Sequence, residues 1–92
     1  FNAELDPSPY VELAEAVGVG PAGSDHATAD RFAAEVAALS ARVGLPGSLG
    51  ALGVTRTDID LLAAHALADA CMATNPRQPT VDQVRQIYTE AL

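Results

Sequence analysis

Lysine is absent from this sequence, and its five arginines face twelve acidic residues, for a net charge of −7. Nothing here forms the basic stripe that neutralises nucleic-acid phosphates, and an anionic membrane surface is equally unsuited. Tryptophan is also absent, and there are only two Phe, two Tyr and one Met. Side chains large enough to fill a core are therefore few. Cys71 is the single cysteine, which excludes an internal disulfide framework and a multi-cysteine zinc site. No run of about eighteen apolar residues offers a bilayer span. The chain opens Phe1-Asn2 with no initiator methionine, basic segment or apolar signal segment, and so reads as a fragment.

What is present is a globular composition. Hydrophobic residues make up 49% and charged residues 18% of 92 positions, enough for one small domain or a piece of a larger one. Nineteen of those residues are Ala, a strong helix former that fills little volume. A domain of this size buries only somewhat over ~60% of its unfolded surface, so a self-sufficient core built on Ala is marginal.

Hydrophobic spacing predicts an all-α chain with about four helices. Ser8-Pro9 forms a helix opening, Tyr10, Leu13, Ala14 and Val17 recur on one face, and Gly18 fits a left-handed stop. Ser24 or Asp25 caps a second helix whose stripe is Phe32, Val36, Leu39 and Val43, ended by Gly44. Four glycines and a proline between Gly44 and Val54 predict an ordered loop with one turn at Leu49 to Leu52, pinned by Leu45, Leu49, Leu52 and Val54. Thr57 is expected to cap a third helix running to Met72 or Ala73, with Ile59, Leu62, Ala63, Ala66, Leu67 and Ala70 inward. Asn75-Pro76 stops it, and Thr80 with Gln83 makes a capping box for a last helix carrying Val81, Val84, Ile87, Tyr88 and Ala91.

Residues able to carry chemistry are few. His26 and His65 each have an aspartate four residues on, Asp30 and Asp69, but a lone His–Asp pair is half a metal site and an ordinary helix-surface contact. Cys71, close to a helix C-terminus, lacks the cation or helix N-terminus that lowers a thiol pKa, which argues for a buried or pocket-lining thiol and against a nucleophile. Ser48 lies in Gly47-Ser48-Leu49, where an acyl carrier protein has Asp-Ser-Leu opening a long helix. Here the aspartate is missing and Gly50 and Gly53 interrupt that helix.

The stretch Asp69-Ala70-Cys71-Met72-Ala73-Thr74-Asn75-Pro76-Arg77, leading to Thr80, resembles the C-terminal end of the iron-containing alcohol dehydrogenase family. In those enzymes an Asp-x-Cys run precedes Thr-Asn-Pro-Arg and a Thr-capped final helix. The loop Leu49-Gly50-Ala51-Leu52-Gly53-Val54, with Asp58 and Asp60 after it, looks like the family's leucine–glycine connection. The opening Phe1-Asn2-Ala3, Tyr10, Leu13-Ala14 and Val17-Gly18 fit as well, so the similarity runs in order across essentially the whole chain.

The resemblance implies the helical C-terminal domain of a dehydroquinate-synthase-like fold, behind an N-terminal domain that binds NAD or NADP. It implies a cytoplasmic, homo-oligomeric enzyme that interconverts alcohols with aldehydes or ketones, using iron, or in some members zinc, held by one Asp and three His. Neither His26 nor His65 matches a ligand position. The metal ligands and the dinucleotide-binding domain are therefore expected upstream, in the remainder of the enzyme's own chain. Cys71 matches a family cysteine near the nicotinamide and substrate channel, and no catalytic, metal or certain cofactor residue is expected here. Two other readings stand beside this one: a free-standing acidic helical interaction module, and a carrier protein modified on Ser48.

Overall fold

The computed structural model describes all residues from Phe1 to Leu92, and it contains five α-helices and no strand. These are α1 (Asn2–Leu5), α2 (Ser8–Ala16), α3 (Asp25–Arg42), α4 (Ile59–Ala68) and α5 (Val81–Glu90). Short 3-10 turns occupy Gly50–Leu52, Arg56–Asp58 and Ala70–Thr74. The chain divides into two compact units, Phe1–Leu45 and Pro46–Leu92. The all-helical expectation holds, with one extra short helix at the start.

In the first unit α2 begins one residue earlier than expected. Ser8 is its first helical residue and Pro9 its second, because the Asp6 carboxylate already accepts the Ser8 N–H at 3.0 Å. At the other end Gly18 takes φ +77; its N–H reaches the Glu15 carbonyl at 3.1 Å, and the Val19 N–H reaches that of Ala14 at 2.8 Å. This double closure satisfies carbonyls that the helix end leaves free. α3 opens on Ser24, whose hydroxyl accepts the Ala27 N–H at 3.2 Å. It closes in the same way as α2, with Gly44 at φ +78 and the Leu45 N–H on the Ser40 carbonyl at 3.0 Å.

α2 packs on α3 with Ala14 and Ala29 buried between them, small residues that let two backbones approach closely. Thr28 is the buried polar residue, and its hydroxyl is fully used. It donates to the Ser24 carbonyl at 3.0 Å and accepts from the Ala22 N–H at 2.9 Å. Arg31 donates to the Gly20 and Pro21 carbonyls, each at 3.0 Å, and so clamps the connecting loop. The expected faces are only partly covered: Tyr10 and Phe32 are half-buried, while Leu13, Val17, Val36, Leu39 and Val43 are exposed. Length explains much of this. At 1.5 Å per residue, the nine residues of α2 cover about half of the eighteen-residue α3.

In the second unit the glycine-rich connection is ordered mainly by backbone bonds and not, as expected, by four aliphatic anchors. Leu49 and Val54 are half-buried, but Leu45 and Leu52 are exposed. The Leu49 N–H donates to the Ala91 carbonyl at 2.7 Å, tying the loop to the end of α5. At Gly50 a Cβ would stand 2.9 Å from the Leu92 carbonyl oxygen, a close approach only glycine allows.

The cap before α4 is Thr55 and not Thr57. The Asp58 carboxylate accepts from the Thr55 N–H at 2.8 Å and from its hydroxyl at 2.7 Å, which adds the turn Arg56–Asp58 ahead of the helix. α4 and α5 pack through Ile59, Ala63 and Val84. Outside that contact Arg85 reaches from α5 to Asp60 at 2.7 Å, and to Asp82 of its own helix at 2.9 Å. The Thr80–Gln83 capping box is present as expected, at 3.3 Å and 2.9 Å. Exposed pairs such as Arg85–Asp60 add little stability, so the small apolar contact carries this helix pair.

Candidate functional site

Asp69, Cys71 and Asn75-Pro76-Arg77 lie in the segment that joins α4 to α5, whereas His26, His65 and Ser48 lie elsewhere. α4 ends at Ala68, four to five residues before the expected stop at Met72 or Ala73. Asp69 leaves the helix with extended backbone (φ −69, ψ 135), and its carboxylate accepts the Cys71 N–H at 2.7 Å. That side-chain acceptor competes with the helical carbonyl four residues back, so the chain tightens into the 3-10 turn Ala70–Thr74.

Further side chains lace the segment. The Thr74 hydroxyl donates to the Cys71 carbonyl at 2.9 Å. Gln78 donates to the carbonyls of Met72 and Asn75 at 3.0 and 3.3 Å, and the Asn75 amide donates to the Arg77 carbonyl. The result is a polar, cross-braced elbow ending at the Thr80 cap. Thr74 and Gln78 carry much of that bracing, yet no helical or turn periodicity in the sequence distinguishes them from ordinary polar loop residues.

Cys71 is exposed in this elbow, which corrects the buried alternative and leaves the pocket-lining one. A hydrogen bond to Asp69 and the negative charge of that carboxylate hold the thiol above its ordinary pKa. The Cys71 backbone and side chain in turn hold Asp69 below the usual carboxylate range. A thiol kept protonated is a poor nucleophile.

His26 and His65 are exposed. No group of three or more His, Cys, Asp or Glu side chains gathers anywhere in the chain to hold a metal ion. The residues present thus do not fit an iron or zinc centre. Ser48 is half-buried and accepts the Ala51 N–H at 3.2 Å, so its hydroxyl serves the turn that follows it. In the first unit an open depression of about 450 Å³ is lined by Val11, Glu15, Val19, Pro21 and Thr28 among others. Its Thr28 hydroxyl is already committed to backbone partners. No helix is long and apolar enough to cross a membrane.

Comparison with known proteins connects these features. The model of the C-terminal region of the Fe-containing alcohol dehydrogenase family matches residues 1–92. Lactaldehyde reductase of Escherichia coli is 36% identical over 92 residues, covering 99% of this chain and 24% of its own length. The NAD-dependent methanol dehydrogenase of Bacillus methanolicus is 33% identical, over 100% of this chain and again 24% of its own. Alcohol dehydrogenase 4 of Schizosaccharomyces pombe is 40% identical over 70 residues, 76% of this chain and 17% of its own. The chain thus spans about a quarter of the length of the first two relatives. No solved structure matches it. The match along the whole chain, over a purely helical fold, shows that the protein belongs to the iron-containing alcohol dehydrogenase family and corresponds to that family's C-terminal region.

Proposed function

We propose that these 92 residues are one helical stretch of a longer, NAD- or NADP-dependent alcohol dehydrogenase that interconverts alcohols with aldehydes or ketones. The observation that carries this reading is the family match from the first residue to the last. The names of the relatives support it, since they include a lactaldehyde reductase and an NAD-dependent methanol dehydrogenase. In this reading the metal, iron or zinc, and the nicotinamide are held by the remainder of the enzyme's chain. The whole enzyme works in the cytoplasm as a homo-oligomer.

In this reading the chain supports the active-site cleft and forms part of one wall. The braced elbow Asp69–Thr80 presents Cys71 at the substrate side, where its protonated thiol is small and uncharged. A rigid support matters because a displacement of about 1 Å in a substrate-positioning group can cost ~10²-fold in rate.

The test uses the full-length enzyme. It is expected to reduce NAD or NADP with short primary alcohols or diols. Cys71→Phe should raise KM for the alcohol several-fold while leaving bound metal unchanged. An unaltered KM would remove Cys71 from the pocket, and absence of any nicotinamide-linked alcohol turnover would refute the assigned activity.

A further inference from the structure

The turn Ala70–Thr74 is held by hydrogen bonds from side chains and not by packing, since none of its residues is buried. Both backbone polar groups of Cys71 are engaged. Its N–H donates to the Asp69 carboxylate at 2.7 Å, and its carbonyl accepts the Thr74 hydroxyl at 2.9 Å. The next carbonyl, that of Met72, accepts the Asn75 N–H at 3.1 Å and the Gln78 side-chain amide at 3.0 Å. The same Gln78 nitrogen donates to the Asn75 carbonyl at 3.3 Å, so one side chain closes the turn from outside it. Pro76 and Pro79 disfavour helical geometry in the residues before them, Asn75 and Gln78. Asn75 is accordingly extended, at φ −67 and ψ 130. Gln78 thus reaches back to the turn from a backbone with few alternatives.

A bond to a carbonyl oxygen fixes its peptide plane, and the planes on either side of Cys71 fix where its Cβ and thiol point. Asp69 holds the plane on the N–H side. Thr74 holds the plane on the carbonyl side, and Gln78 holds the plane after that. Loss of either donor frees the carbonyl side of the turn while the Asp69 bond remains. Resting on the proposed reading in which Cys71 lines the alcohol site of a longer enzyme, we infer that Thr74 and Gln78 are positioning residues. They hold the Cys71 thiol beside the Asp69 carboxylate, and with it this part of the wall of the alcohol site. Neither side chain acts on substrate directly; both act through the turn.

The experiment uses the full-length enzyme, with Cys71 alkylation read across pH by peptide-resolved mass spectrometry. Gln78→Met and Thr74→Val each remove a donor at nearly constant volume and add no charge. Both positions are exposed, so the interior is left intact, and either variant serves alone if the other fails to fold. Each should release the thiol from Asp69, lowering the alkylation midpoint toward the ~8.5 of an ordinary cysteine and speeding labelling near neutral pH about threefold or more. Thr74→Ser keeps the hydroxyl and should restore the parent midpoint. Gln86→Met, at an exposed glutamine of α5 outside the elbow, should leave it unchanged. Parent midpoints in the donor-loss variants, or no recovery with Thr74→Ser, would overturn the inference. Turnover is read separately: KM for the alcohol should rise about threefold or more, with kcat changed less. A shifted midpoint with an unaltered KM would support the positioning role and refute the placement of Cys71 in the alcohol pocket, so the two failures are distinguishable.

Discussion

Asp69 decides two properties of its neighbourhood with one carboxylate. It accepts the Cys71 N–H, which turns the chain out of α4, and it holds the Cys71 thiol protonated. Because the thiolate is the reacting form, the pH midpoint for Cys71 alkylation should lie above the ~8.5 of an ordinary cysteine. Asp69→Asn keeps an oxygen for the Cys71 N–H but loses the charge, so its midpoint should fall back toward that value. An unchanged midpoint would mean that Asp69 does not control the thiol. Gly50 is the other single residue with a sharp consequence. A Cβ there would stand 2.9 Å from the Leu92 backbone oxygen, so something must shift to admit it. Gly50→Ala should therefore cost about 1–3 kcal/mol in denaturant unfolding, as other overpacked sites do.

At the scale of elements, helix ends are set by side chains that satisfy free backbone groups. Asp6, Asp58 and Asp69 each accept a backbone N–H, and each is held below the usual carboxylate range by that bond and by a hydroxyl or thiol partner. For Asp58 the hydrogen bond from the Thr55 hydroxyl is the leading cause. A lowered folded pKa stabilises the fold fully above the unfolded value of about 3.9, and that contribution is lost as pH falls through the folded value. The thermal midpoint should drop below about pH 4, and Asp58→Asn should make the drop shallower. An identical acid profile for the variant would contradict this role of the cap.

The same ends show what a sequence makes legible. Gly18, Gly44 and the Thr80–Gln83 box could be read because each signal has one local solution, whereas Ser24 and Asp25 both offer a cap for α3 and the structure uses Ser24. The cap before α4 and the end of that helix depart from the spacing because two signals compete at each site. Thr55 with Asp58 outbids Thr57, and Asp69 stops a run whose apolar spacing otherwise continues. Burial of Leu13, Val36 and Leu45 was not legible at all, since it depends on which element reaches them and not on their own spacing.

For the whole molecule the composition foretold a thin interior, and the buried hydrophobic residues are Ala14, Ala29, Ile59, Ala63 and Val84. None of the large side chains is fully buried. Two small helix contacts and many exposed aliphatics fit a stretch whose further packing partners lie in the rest of an enzyme. Of the candidate site, the order Asp69, Cys71, Asn75-Pro76-Arg77 was visible as a family pattern, whereas the bracing by Thr74 and Gln78 required coordinates. The central claim is that this region supports chemistry whose metal and nicotinamide sites lie in other parts of the chain. Its most direct test is alcohol-dependent NADH or NADPH production by purified residues 1–92 beside the metal-loaded full-length enzyme. Turnover by the full-length enzyme and none by residues 1–92 is the predicted result; turnover of short alcohols or diols by residues 1–92 alone would contradict it.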